Sequence, residues 1–391
     1  MDARQLLALS YATSTKHIGF DIVNRVAARA SEIQRVRTQT IMTLIAIRII
    51  AAVAMWFLPM PACAAEIGSI ALYRGADRQA RLEKAAHAEG SIVWYTSIAL
   101  GESSRYVESF EKRYPSIKVN LVRSNSSRMA QRYGAEYQAG TYLADVLDTG
   151  DTTIEFFRRK GMLQPYYSPL AEKFDKRFVQ NENFWVANRA TMTVLGYNTR
   201  LVKPAEAPAR YEDVLDPKWK DKISLEREDS QWFMALFEHW GEQKAKAFFH
   251  RLRGQNPRIR TGHTLQAQLI AAGEDALSPD THSGGIAAAR RAGAPVEWLN
   301  LEPVVAANNV AALARNAPHP NAAMLFLDFM LSKDGAQQIL RDVNRIPTHP
   351  EVLPNPPRLR EGFNFIVIDP AKYNDGIERY GKLWREWVLQ E

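Results

Sequence analysis

Three short stretches carry the residue types best suited to holding a solute: Thr96-Ser97, Ser126-Ser127 and Thr149-Gly150-Asp151-Thr152. Each closes an apolar, strand-like run and opens a helical pattern. Helix N-termini present unpaired N–H groups and a partial positive charge. Serine and threonine hydroxyls add adaptable donors and acceptors beside them. Such groups hold a small polar or anionic solute without reacting with it. Further along, Arg227, Ser230 and Thr281-His282-Ser283 stand at comparable junctions. An arginine there can pair with a carboxylate or a phosphate. The alternative is a plain helix cap, worth about 1 kcal/mol, or, for Arg227, a solvated surface charge.

Catalytic patterns are missing. The sequence has no G-x-S-x-G elbow, P-loop, G-x-G-x-x-G or H-E-x-x-H. The seven histidines after Ala64 are dispersed, without metal-ligand spacing to one another. Asp148 and Asp151 lie three apart, which suits a turn as well as an acid–base pair. Tyr166-Tyr167 is an adjacent phenol pair and offers hard ligands for a ferric ion. It stands between Pro165 and Ser168-Pro169, in a loop where packing is the expected role.

The elements that must position these residues alternate short strands with amphipathic helices. Ser91–Tyr95 is β-rich, and Tyr106, Val107, Phe110 and Tyr114 recur at helical spacing before Pro115. Ile117–Val122 alternates as a strand, and Met129, Tyr133 and Tyr137 recur as a helix. Ala144–Leu147 and Ala190–Tyr197 read as strands, as do Val296–Leu301 and Asn309–Ala314. Asn321–Leu331 reads as a strongly apolar helix. The repeated order predicts an α/β fold with a largely parallel sheet. In such a sheet the strand–helix junctions share one edge, where ligands bind.

The 391 residues carry a net charge of +7. Seven of the 50 Lys and Arg and three of the 43 Asp and Glu precede Ala65, so the rest is balanced to +3. No basic stripe for nucleic acid is left. Ile41–Ala64 is apolar apart from Arg48, follows a basic stretch and ends Ala62-Cys63-Ala64. It reads as a cleavable export signal, residues 1–64, with a long basic region. An uncleaved membrane anchor and a lipid-modified Cys63 are the alternatives. Met42 offers a second start position. The remaining 327 residues have no cysteine, so an exported chain must rely on its core.

The ordered segments resemble the periplasmic solute-binding proteins of ABC importers, in the branch containing ferric-ion-binding proteins. The matching stretches are VWYTSI (Val93–Ile98), FEKRYPSIKVNLVRSNSSRMAQRY (Phe110–Tyr133), ADVLDTGD (Ala144–Asp151) and GMLQPYYSP (Gly161–Pro169). VLGYNTRLV (Val194–Val202), DPKWKDKISL (Asp216–Leu225), AAGEDALSP (Ala271–Pro279) and NAPHPNAAMLFLDFMLSKDGAQQIL (Asn316–Leu340) continue the series.

The resemblance implies a two-lobed, type II-like periplasmic-binding-protein fold with a hinge between the lobes. The first lobe is expected over 65–188 and 305–345, and the second over 189–304, with 346–391 packing on it. Hinge segments are expected near Trp185–Leu195 and Leu301–Val310. The implied partners are a small-molecule or ion ligand, a membrane permease and its ATPase, with a monomer as the shuttle. Binding residues carry over to Thr96, Ser97, Ser126, Ser127, Thr149 and Gly150, and to Ser230, Thr281 and His282, with Arg227 beside them. No cofactor is implied. Ferric-binding members coordinate iron with a consecutive tyrosine pair in the second lobe. Here that region reads SPDTHSGG (Ser278–Gly285), without tyrosine. A phosphorylated or carboxylated organic anion fits hydroxyls and helix N-termini better, with ferric ion the alternative cargo. Other classes that the chain must be tested against are an exported enzyme on the same scaffold and a membrane-retained sensor.

Overall fold

In the computed structural model, which describes residues 70–180 and 182–391, the run SIVWYT forms strand β1 (Ser91–Thr96). Its β-branched and aromatic residues fit a buried pleated surface, and Ile92, Trp94 and Tyr95 are buried. Helix α1 (Arg78–Glu89) precedes it and α2 (Leu100–Arg113) follows. The chain continues through β2 (Lys118–Arg123), α3 (Ser126–Gln138), β3 (Val146–Gly150) and α4 (Asp151–Arg159). β1 pairs in parallel with both β2 and β3. Their C-terminal ends therefore share one edge, and α2, α3 and α4 begin there.

The later strands break the parallel expectation. After β4 (Leu163–Gln164) comes the long β5 (Trp185–Asn198). Four short strands follow: β6 (Ser224–Glu226), β7 (Arg258–Arg260), β8 (Leu277–His282) and β9 (Val296–Leu299). The second long strand is β10 (Val304–Ala314), and β11 (Ile346–Pro347) and β12 (Phe365–Val367) are short additions. β5 and β10 pair antiparallel from Thr193 opposite Val305 to Trp185 opposite Ala312. β10 is also antiparallel to β3, and β5 to β8 and β9. The sheet is mixed, correcting the largely parallel one read from the alternation. The reason is the path of the chain. β5 starts in one hydrophobic core, with Trp185 and Ala187, and ends in a second, with Leu195 and Tyr197. β10 returns from Val305 in the second core to Leu313 in the first. Two strands that carry the chain out and back must run in opposite directions.

Helices α5 (Ser230–Trp240), α6 (Glu242–Gly254), α7 (His263–Ala272) and α8 (Ser283–Arg291) lie between β6 and β9. After β10 come α9 (Pro320–Leu331), α10 (Gln338–Asp342) and α11 (Pro370–Trp384). The first core stacks Trp94 on Tyr106 at 5.8 Å and sets Phe326 of α9 edge-on to Trp94 at 5.0 Å. α9 is apolar all round because it is buried all round. Its carboxylate, Asp328, is paired with buried Arg78 at 2.7 Å. The second core is built on Trp232 and Phe233 of α5, Phe249 of α6, and Trp384 and Trp387 near the C-terminus. Ring pairs such as Phe233–Phe249 at 4.6 Å hold it. The two cores and the strands passing between them make the fold two-lobed and α/β. The export signal, Cys63 and the second start at Met42 lie outside the described residues. No helix among the described residues is long and apolar enough to cross a membrane.

Candidate functional site

A cleft of about 480 Å³ opens where the starts of α2, α3 and α4 face the β6–α5, β7–α7 and β8–α8 junctions. Each junction is local chemistry. Asn125 caps α3 by accepting the Arg128 N–H at 2.8 Å. Asp229 caps α5 through the Trp232 N–H at 3.2 Å. Gly262, with φ of +97°, turns the chain into α7 in a conformation that favours glycine. A hydrogen bond of 2.8 Å from the Gln231 amide to the Thr152 hydroxyl ties the start of α5 to the start of α4.

Of the residues singled out from the sequence, Ser97, Ser126, Gly150, Thr152 and His282 line this cleft. Thr149 lies just behind, fully buried, with its hydroxyl 2.7 Å from that of Ser126. Thr96 is also fully buried, and its hydroxyl donates to Asp148 at 2.9 Å. Thr281 is buried on β8, with its methyl group against Gly196 of β5. Ser230 is bonded to the Tyr373 hydroxyl at 2.8 Å. Ser127 is exposed in the first turn of α3 and does not line the cleft. Arg227 is exposed as well and is paired with Glu391. Tyr166 is buried in the first core. Tyr167 lies under the Arg74 guanidinium and donates to Glu172 at 2.7 Å, so the phenol pair packs away from the cleft.

Sequence reading missed the charged residues of the cleft. Arg189 on β5 is 7% exposed, within 3.2 Å of the Asp148 carboxylate. It also donates to the Asn309 side chain at 3.1 Å. A β-bulge between Asn309 and Val310 shifts the register opposite Arg189, and bulges of this kind re-aim side chains beside sites. Thr96, Asp148 and Arg189 thus form one buried chain, in which Thr96 positions the arginine indirectly. The available signal was an arginine inside an otherwise buried strand, VANRATM. Arg345 donates to Glu102 at 2.9 and 2.6 Å. No local pattern marks that pair, because α2 meets the segment after α10 only in the fold.

The opposite wall is acidic, with Glu226, Glu228 and Asp229. Glu226 accepts the Glu228 and Gly262 N–H groups at 2.6 and 2.8 Å. Burial pushes the Glu226 and Asp229 carboxyls up, and nearby Asp280 and Glu226 push Asp229 further. His263 and His282 stack with ring centroids 3.6 Å apart. Burial lowers the proton affinity of both, and His263 lowers that of His282 further. Stacked neutral imidazoles are the consistent state, since two adjacent charged rings would repel. Among the described residues no group of three or more His, Cys, Asp or Glu is arranged to hold a metal ion. No tyrosine lines the cleft among the described residues.

Residues 142–372 match the bacterial extracellular solute-binding protein family. Iron uptake protein A2 of a Synechocystis strain is 24% identical over 272 residues, spanning 64% of this chain and 78% of that protein. The periplasmic binding protein AfuA of Actinobacillus pleuropneumoniae, solved with fructose-6-phosphate bound, superposes with a TM-score of 0.67 at 22% identity. That match covers 77% of this chain and 99% of AfuA. IdiA from Trichodesmium, solved with iron and citrate, gives a TM-score of 0.65 at 21% identity over 76% of this chain and all of that one.

Proposed function

The chain belongs to the bacterial extracellular solute-binding protein family, and we propose that its solute is a small phosphorylated or carboxylated organic anion, passed to the permease of an ABC importer. The observation that carries this reading is the buried Arg189 guanidinium beside a ring of hydroxyls. Ser97, Ser126, Thr152 and Thr153 line the same cleft at the starts of three helices. Guanidinium, hydroxyls and helix N-termini are complementary to a phosphate or carboxylate. Their arrangement needs no reaction to hold it. The solute-bearing relatives support a ligand of that size: one was solved with a sugar phosphate and another with citrate and iron.

In this reading the first lobe comprises 65–188 and 305–345, and the second 189–304 with 346–391. The lobes close about β5 and β10, so that both walls contact the solute. Residues 1–64 direct export to the periplasm, and the loaded monomer docks on the permease and its ATPase. Ferric ion is the second reading, favoured by the name of the Synechocystis relative and by the acidic wall.

Titration calorimetry with phosphorylated and carboxylated anions tests the first reading. The double substitution Ser126→Ala, Thr153→Ala is expected to weaken anion binding by about tenfold or more, at the usual worth of hydrogen bonds to a charged group. Binding of ferric ion, with no response to any organic anion, would overturn it.

A further inference from the structure

Resting on the anion reading, we infer that the cleft selects an anion joined to a body rich in hydrogen-bond donors, and that Glu228 and Asp229 read those donors. The two walls differ in what they leave unsatisfied. On the first wall the charges are already matched: Arg189 with Asp148 and Arg345 with Glu102. On the second, neither Glu228 nor Asp229 pairs with a lysine or arginine among the described residues. The Asp229 side chain is only 10% exposed. Its Oδ2 has no hydrogen-bond partner among the described residues. Asn308, 2% exposed and also lining the cleft, has an Oδ1 without a hydrogen-bond partner among the described residues.

Buried oxygens of this kind are costly when unpaired. The Asn308 amide oxygen can only accept, and a donor brought beside Asp229, an ammonium above all, would favour its ionised, accepting form, so the missing component is a donor. His263 does not supply it as a cation. Its Nε2 is 4.0 Å from Asp229, and burial keeps the ring neutral. A bare anion seated on the first wall would face the exposed Glu228 carboxylate, of like charge, and would offer no donor to Asn308 or Asp229. An anion carrying hydroxyls or an ammonium would present donors to them. The cavity has room for both parts: 480 Å³ exceeds the roughly 30 Å³ of one liquid water by more than tenfold.

The full chain is titrated with propyl phosphate, which has an anionic head and no donors on its body. Glycerol 3-phosphate adds hydroxyls, and phosphoethanolamine adds an ammonium. Glycerate against propanoate repeats the comparison for carboxylates. At least one donor-bearing member is expected to bind about tenfold or more tighter than its bare counterpart. The hydroxyl and ammonium compounds distinguish the donor type. Glu228→Gln and Asp229→Asn are each expected to bring the ratio of donor-bearing to bare affinities toward one. Glu228 is exposed, so its variant tests the idea even if Asp229→Asn impairs folding. Equal affinities for bare and donor-bearing anions, or a preference that survives both substitutions, would overturn the inference and leave the anion reading intact. Failure of every anion to bind would remove both.

Discussion

At Asp151 a single residue carries a measurable consequence. The carboxyl is 1% exposed at the first position of α4, and its Oδ2 has no partner among the described residues. Burial pushes its pKa up to about 7, Asp369 adds to the shift, and N–H groups of Thr152 and Asn308 pull against it. A folded-state pKa above the unfolded one means the folded chain holds the proton more tightly. The stabilisation is therefore complete in acid, and it is lost as pH rises from about 4 through about 7. Asp151→Asn removes this dependence. Across about pH 5 to 8, wild type should lose about 2–3 kcal/mol relative to the variant. Urea unfolding of both at several pH values reads this directly, and parallel curves would contradict it. The Thr96–Asp148–Arg189 chain makes a related point. A threonine chosen from sequence as a ligand contact instead bonds Asp148, which pairs with the cleft-lining Arg189.

The same tension between local pattern and tertiary setting appears in the elements. Gly196 on β5 lies against β8, and a Cβ there would come within 2.5 Å of Thr281 Cγ2 and 2.9 Å of Ile286 Cδ1. Gly196→Ala should destabilise the chain by about 1–3 kcal/mol through overpacking, measured by thermal unfolding. An unchanged melting temperature would mean that β5 and β8 are more loosely packed than described. The helices α2 and α3 were legible because their apolar residues recur at helical spacing, and α9 because its run is so strongly apolar. The short parallel strands were legible because β-rich runs end at Ser, Thr or Asp. The antiparallel pairing of β5 with β10 was not. Their strand character is local, but their partners lie over a hundred residues apart. The cleft was half legible for the same reason. Hydroxyls at helix starts are visible as motifs, whereas Arg189, Arg345 and Asp229 matter only through neighbours brought from other elements.

For the whole molecule, two hydrophobic cores share the long strands β5 and β10, and the polar cleft lies between groups supplied by both. In the proposed reading one wall matches an anion and the other the body attached to it. A ligand that binds only the folded chain stabilises it by mass action, by about 2.7 kcal/mol at a hundred times Kd. The central claim is tested most directly by native mass spectrometry of the exported chain, released gently from the periplasm. The account predicts one small organic anion per chain, carrying hydroxyl or amino groups and lost on unfolding. A chain that retains ferric ion without an organic anion would contradict it.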